Sequence, residues 1–116
     1  MEYMEEIIWL EDDMFMKNIS KFDGFSVDYL EILPGAIESN VIHRQCDEFI
    51  YILQGELMFN LNGNSFLLKS GEHVNIPQNT IHGSINQTND NVKVLSVCSP
   101  PFELSFMTKA VENDET

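Results

Sequence analysis

Asn62 and Gly63 stand between Leu57-Met58-Phe59-Asn60-Leu61 and Asn64-Ser65-Phe66-Leu67-Leu68, two apolar-rich runs of equal length. A two-residue connection with both residues at positive φ has the twist that suits antiparallel strands, and Asn-Gly tolerates that backbone. Residues 57–68 therefore read as a β-hairpin, and the rest of the chain has to extend a sheet from it.

Turn residues recur every few positions along the remainder and separate short runs rich in Val, Ile, Phe and Tyr, the pattern of a β-sandwich or barrel. Further strands are expected over residues 24–33, 39–43, 49–53, 73–76, 83–87, 92–97 and 103–107, bounded by Pro, Gly, Asn and Asp. Connections this short imply an antiparallel, all-β fold with little room for helix. Residues 5–10 read as an edge strand or a helical turn, and residues 111–116 as an acidic tail. No internal repeat or linker divides the chain, so its 116 residues are expected to form one domain with its core at about 24–107.

Nineteen Asp plus Glu against six Lys plus Arg leave a formal charge of −13. Phosphate backbones and anionic membranes are repelled by such a chain, which argues against nucleic-acid and membrane partners. Hydrophobic residues make up 43% of the sequence, with eight Phe, enough to pack an interior. No apolar run approaches the roughly 20 residues that span a bilayer. The acidic start lacks the basic region of a secretory signal, so a cytoplasmic location is expected. Cys46 and Cys98 form no Cys-x-x-Cys pair and read as reduced structural thiols. Arg44 is the one basic neighbour that would activate Cys46, and an inert thiol is the expectation.

Along residues 48–53 both alternating sets are apolar, Ile50 and Ile52 on one face, Phe49, Tyr51 and Leu53 on the other. One face belongs to a barrel interior. The other needs a second sheet or a partner chain, which motivates a homodimer.

Two spaced patterns flank the hairpin. Gly35, Val41, His43, Glu48 and Gly55 form the first; Gly71, Pro77, Asn79, His82 and Asn86 form the second. They resemble the two motifs of the cupin superfamily, in which the first runs Gly, five residues, His-x-His, three or four residues, Glu, six residues, Gly. The second runs Gly, five residues, Pro-x-Gly, two residues, His, three residues, Asn. Val41 stands where the first His would be, and Asn79 where a Gly would be. Asn is the commonest substitute for Gly in left-handed backbone, so that turn survives the change. Residues 47–56 are similar to the small single-domain cupins called mannose-6-phosphate-isomerase-like. The resemblance implies a cupin-type double-stranded β-helix, a jelly-roll barrel of antiparallel strands.

It also implies a metal site on His43, Glu48 and His82. Strand alternation projects Val41 and His43 to one side, the loop 44–47 brings Glu48 onto the neighbouring strand, and His82 enters from a third after the Pro77 turn. Two imidazoles and one carboxylate suit iron(II), and manganese, nickel or zinc also accept such a set. In the family pattern a fourth ligand stands at Val41, so affinity is expected to drop unless Gln45 or Asp47 supplies a donor. Read singly, His43 and His82 are ordinary hydrogen-bonded histidines, and Glu48 needs a cation or donor beside it if buried, a role His43 itself would fill. His73 reads as a plain strand residue. Trp9, Tyr51, Phe59, Phe102 and Phe106 read as core or dimer contacts, with Tyr51 the remaining acid–base candidate.

Function is less constrained, because one fold carries many chemistries. A metal-dependent isomerase or dioxygenase acting on a small oxygenated molecule (a sugar, sugar acid or diketone) is the first reading, with the metal as Lewis acid. A metal-free small-molecule binding or sensing module is the second, motivated by Val41. A polyketide-pathway cyclase with an apolar pocket is the third.

Overall fold

The computed structural model describes residues 7–43, 45–103 and 107–109. Among the described residues the chain forms β1 (Ile7–Glu11), β2 (Met14–Lys21), β3 (Ser26–Ile32), β4 (Ile37–His43), β5 (Asp47–Gln54), β6 (Glu56–Leu61), β7 (Asn64–Lys69), β8 (His73–Ile76), β9 (Ile81–Ile85), β10 (Val92–Ser99) and β11 (Met107–Lys109). None of those residues is helical, and so no helix there is long and apolar enough to cross a membrane. One sheet has six strands in the order β1-β2-β3-β10-β5-β8; the other has five, β11-β4-β9-β6-β7. From β3 onward the chain passes repeatedly between the two sheets, winding them as a double-stranded β-helix of antiparallel strands.

Alternation decides what lies between the layers. On β10, Val92, Val94, Ser96 and Cys98 are buried while Lys93, Leu95 and Val97 are half-buried on the outer side. Ile32, Ile50, Ile52 and Val94 from the larger sheet meet Leu57, Phe59 and Leu68 from the smaller. Each such side chain contributes about 1.5–3 kcal/mol when fully removed from water.

The hairpin is present as expected: β6 and β7 pair Leu57 with Leu68 and Phe59 with Phe66, and Asn62 and Gly63 take φ of 52° and 89°. Asn79, at φ 67°, occupies the left-handed position that the motif gives to glycine. Gly83 is required for a different reason. A Cβ there would lie 2.8 Å from the Glu38 carbonyl oxygen, where β4 shifts register against β9 between Glu38 and Val41.

Two segments differ from the sequence expectation, and a third falls largely outside the described residues. β2 was not anticipated, because a register shift between Asn18 and Ser20 breaks its alternation and leaves Ile19 exposed although Met14 and Met16 are buried. Residues 81–85, rather than 83–87, form β9; Asn86, just beyond it, exchanges backbone hydrogen bonds with Ala36 and Gly35 while its side chain turns inward to the Ile32 carbonyl. At the C-terminal end the strand is Met107–Lys109, paired with β4; residues 104–106 and the tail 111–116 lie outside the described residues.

Candidate functional site

Glu48 on β5 and His82 on β9 enter the space between the sheets from opposite layers, and their side chains are 9% and 3% exposed. Glu48 Oε1 lies 3.8 Å from His82 Nε2. Around them is a cavity of about 40 Å³, whose polar wall is Asp28, Glu38, Glu48, His82, Ser84 and Ser96 and whose remaining wall is apolar. The Phe59 ring stacks beside His82, with centroids 6.2 Å apart.

Hydrogen bonds fix the orientation of both groups. His82 Nδ1 lies 3.1 Å from the Thr80 carbonyl oxygen, an acceptor, so Nδ1 carries the hydrogen and Nε2 faces the cavity. Ser96 Oγ donates to Glu48 Oε2 at 2.6 Å. His82 Nε2 and a carboxylate oxygen thus face one another, and a proton on Nε2 or a bound cation would be attracted by both. The 3.8 Å separation is shorter than the sum of two metal–ligand bonds of about 2.0–2.2 Å, so the pair fits a single ion.

Asp28 is the second buried acid. It sits on β3 directly opposite Ser96 of β10, and its Oδ1 accepts from Asn18 Nδ2 at 2.8 Å. Burial pushes its carboxyl above the usual range and the charge of Glu48 adds to this, while hydrogen bonds from Asn18 and Ser26 pull it partly back. The native state therefore keeps the Asp28 proton to higher pH than the unfolded chain. Asp28's contribution to stability is most favourable below the ordinary value of 3.8 and declines as pH rises through the raised one. Asp28→Asn retains an acceptor for Asn18. Thermal melts should show it gaining on the wild type at about pH 7 and losing that advantage at about pH 4.

Of the residues singled out from sequence, Glu48 and His82 come together, and Val41 lies directly across from His82 on β4, 3% exposed. His43 occupies the end of β4, paired with Met107; its side chain lies outside the described residues. Gln45 is exposed, and the exposed Asp47 accepts a hydrogen bond from the Gln78 backbone N–H at 2.8 Å, so neither is turned toward the cavity as a substitute donor. Tyr51 is placed on the outer face of β5, between Leu95 and His73 in register, and does not line the cavity. Its parity is opposite to that of Ile50 and Ile52, which is why it points outward. Cys46 and Cys98 are both buried and free, and lie within hydrogen-bonding range of each other. Burial, with Glu48 nearby, pushes the Cys46 thiol up to about 11 and the Cys98 thiol higher still. Among the described residues no group of three His, Cys, Asp or Glu side chains is arranged to hold a metal.

Asp28, Glu38 and Ser96 were missed. The signal for Asp28 was present: it shares the strand parity of Ser26, Leu30 and Ile32, so an acid falls on the inward side of β3. Ser96 likewise shares the inward parity of Val92 and Val94. Glu38 carries no such signal, because β4 shifts register just beyond it.

The sequence pattern of the cupin domain matches residues 28–98. A search of the curated proteins finds no match. Among solved structures, the chain is similar to KdgF from Halomonas sp., at 21% identity and a TM-score of 0.78, with 84% of this chain and 88% of that one covered. An RmlC-like cupin from Shewanella frigidimarina gives 19% identity and a TM-score of 0.77, with 88% of each chain covered. A sugar phosphate isomerase of the cupin superfamily from Silicibacter pomeroyi gives 21% identity and a TM-score of 0.69 over 76% of this chain and 60% of that one. At these identities the likeness shows the fold. With the family pattern running from β3 through β10 and both motifs in register on a double-stranded β-helix, the chain belongs to the cupin domain family.

Proposed function

We propose that this cupin barrel holds a divalent transition-metal ion on His43, Glu48 and His82 and uses it to act on a small oxygenated molecule. The observation that carries this reading is the meeting of two buried groups, His82 Nε2 and Glu48 Oε1, at 3.8 Å. When bound, the ion supplies Lewis acidity toward a substrate oxygen, chemistry that serves an isomerisation or an oxygenation. The chain's own groups prepare the site: the Thr80 carbonyl fixes the His82 ring, and Ser96 holds one oxygen of Glu48. Elemental analysis of protein purified without chelator or a nickel column should find close to one transition metal per chain. Folded protein that takes up neither iron, manganese, nickel nor zinc would overturn the proposal.

A second reading, metal-free binding of a small molecule, is favoured by Val41, which puts an apolar side chain across from His82. The polyketide-cyclase reading has less support. A cavity of about 40 Å³ has room for roughly three waters at about 10–15 Å³ each, far less than an aromatic polyketide needs.

The homodimer is also proposed, through the outer face of the six-stranded sheet. Lys17, Tyr29, Leu95, Tyr51 and His73 form one row across β2, β3, β10, β5 and β8, and Val27, Val97 and Phe49 another. Glu31 lies on the neighbouring outward row, between Phe15 and Lys93, and Asp47 at the end of β5, opposite Ser99; hydrogen bonds from Asn91 and Tyr29 hold Glu31 below the usual carboxylate range, and Lys93 and Lys17 add to this. In a chain with 19 acids and six bases, two copies meet here with the least repulsion. Sedimentation at micromolar concentration should give a dimer for the wild type and a folded monomer for Leu95→Asp; a monomeric wild type would sink the proposal.

A further inference from the structure

Cys46 and Cys98 lie far apart in the chain, and neither lines the cavity. Cys98 is near the end of β10, directly opposite Glu48 of β5. Cys46 stands two residues before Glu48, just outside the strand that begins at Asp47. Strand alternation gives residues 46, 48 and 98 one face, and both cysteines are 1% exposed. The register makes them diagonal neighbours on adjacent strands, a separation that side chains on one face can span. Their thiols are free and within hydrogen-bonding range of each other. Singly, each is a buried, inert thiol. Together they are a dithiol whose two sulfurs are already in contact.

We infer that Cys46 and Cys98 form a modification site, at which hydrogen peroxide converts the two thiols to an intramolecular disulfide that ties β10 to the start of β5 and stabilises the barrel. In the first step one sulfur attacks the peroxide, the O–O bond breaks, and a sulfenic acid and one water result. The second sulfur then attacks the sulfenic sulfur. The S–S bond forms, the S–O bond breaks, and the hydroxyl leaves with the second thiol's proton as another water. Two electrons pass from the sulfur pair to the peroxide, and a dithiol reductant returns them. Closure to an S–S bond of about 2.05 Å moves each sulfur by about 1 Å from contact, and Cys46, outside the strand, can supply that shift. Burial excludes bulky oxidants and makes the reaction a matter of hours rather than seconds. His43 and Glu48 stand on either side of Cys46 in the chain, so the bridge also tethers the connection between two proposed ligands. The inference depends on the two sulfurs alone and holds with or without a metal.

Trypsin cuts after Arg44, Lys69, Lys93 and Lys109, which puts Cys46 on peptide 45–69 and Cys98 on peptide 94–109. Wild-type protein held in millimolar hydrogen peroxide for a day, alkylated in denaturant and digested without reductant, should yield these two peptides joined. Dithiothreitol should separate them, and on a non-reducing gel the oxidised chain should run as a monomer. The oxidised protein should melt at least about 5 °C above the same sample after dithiothreitol, because the bridge constrains the unfolded chain over residues 46–98. Oxidised methionines are untouched by dithiothreitol and cancel in that comparison. Alkylated thiols at both positions, oxygen added to each sulfur separately, or the two peptides joined only within a covalent dimer would each overturn the inference. So would joined peptides in a monomer that melts no higher than its reduced form.

Discussion

His82→Ala is expected to leave a folded protein with less than about a tenth of the metal affinity of the wild type, and Glu48→Gln to do the same. Changing a group that merely orients a ligand commonly costs about 10–100-fold in affinity, and removing a ligand should cost at least as much. The two variants fail differently if the reading is wrong. His82→Ala removes the buried ring beside Phe59 and leaves a cavity in its place, so it also weakens the fold. Glu48→Gln keeps the shape and can still accept from Ser96, so its stability should stay close to the wild type's while the metal is lost. Ser96→Ala, which frees one oxygen of Glu48, should give a smaller loss. Metal content and circular dichroism measured on the same samples separate these cases. Full metal occupancy in a folded His82→Ala protein would remove His82 from the site.

Asn86→Ala should lower the free energy of unfolding by about 3–5 kcal/mol and leave metal binding by the folded fraction unchanged. Asn86 is fully buried and is the last residue of the second motif. Its Nδ2 donates to the carbonyls of Ile32 at 3.0 Å and Asp90 at 2.8 Å, and its Oδ1 accepts from the Thr88 backbone N–H at 2.9 Å and the Thr88 hydroxyl at 2.7 Å. The side chain thereby ties the end of β3 to the loop between β9 and β10. Alanine leaves four polar groups without this partner. Asn86→Asp keeps the acceptor but turns the two donor contacts into oxygen facing carbonyl oxygen, and should be no better. Urea denaturation checks both; a loss below about 1 kcal/mol would show that the loop finds other partners.

Asn86 shows how much of this protein is written in local sequence. Its spacing after Pro77 and His82 places it in the second motif, yet the spacing says nothing of what it does; the structure shows it holding a loop. The hairpin at Asn62 and Gly63 is legible because a two-residue turn demands that backbone from those two residues alone. β2 is not legible in the same way, because a bulge removes the period that would reveal it. Tyr51 looked like a candidate acid or base by type, and its parity on β5 carries it to the outer face. Asp28 looked like any strand residue, and its parity on β3 carries it into the cavity.

The sequence by itself determined the all-β class, the central hairpin, the left-handed turn at Asn79 and the places of Glu48 and His82 in two spaced motifs. Each of these depends on contacts close along the chain or on a spacing that strand geometry repeats. Only the tertiary structure decided that His82 Nε2 faces Glu48 across two sheets, that Val41 lies opposite His82, and that Asp28 and Glu38 complete an acidic wall. Those facts depend on which strands become neighbours and in what register, and register is set by the packing of the whole barrel rather than by any one segment.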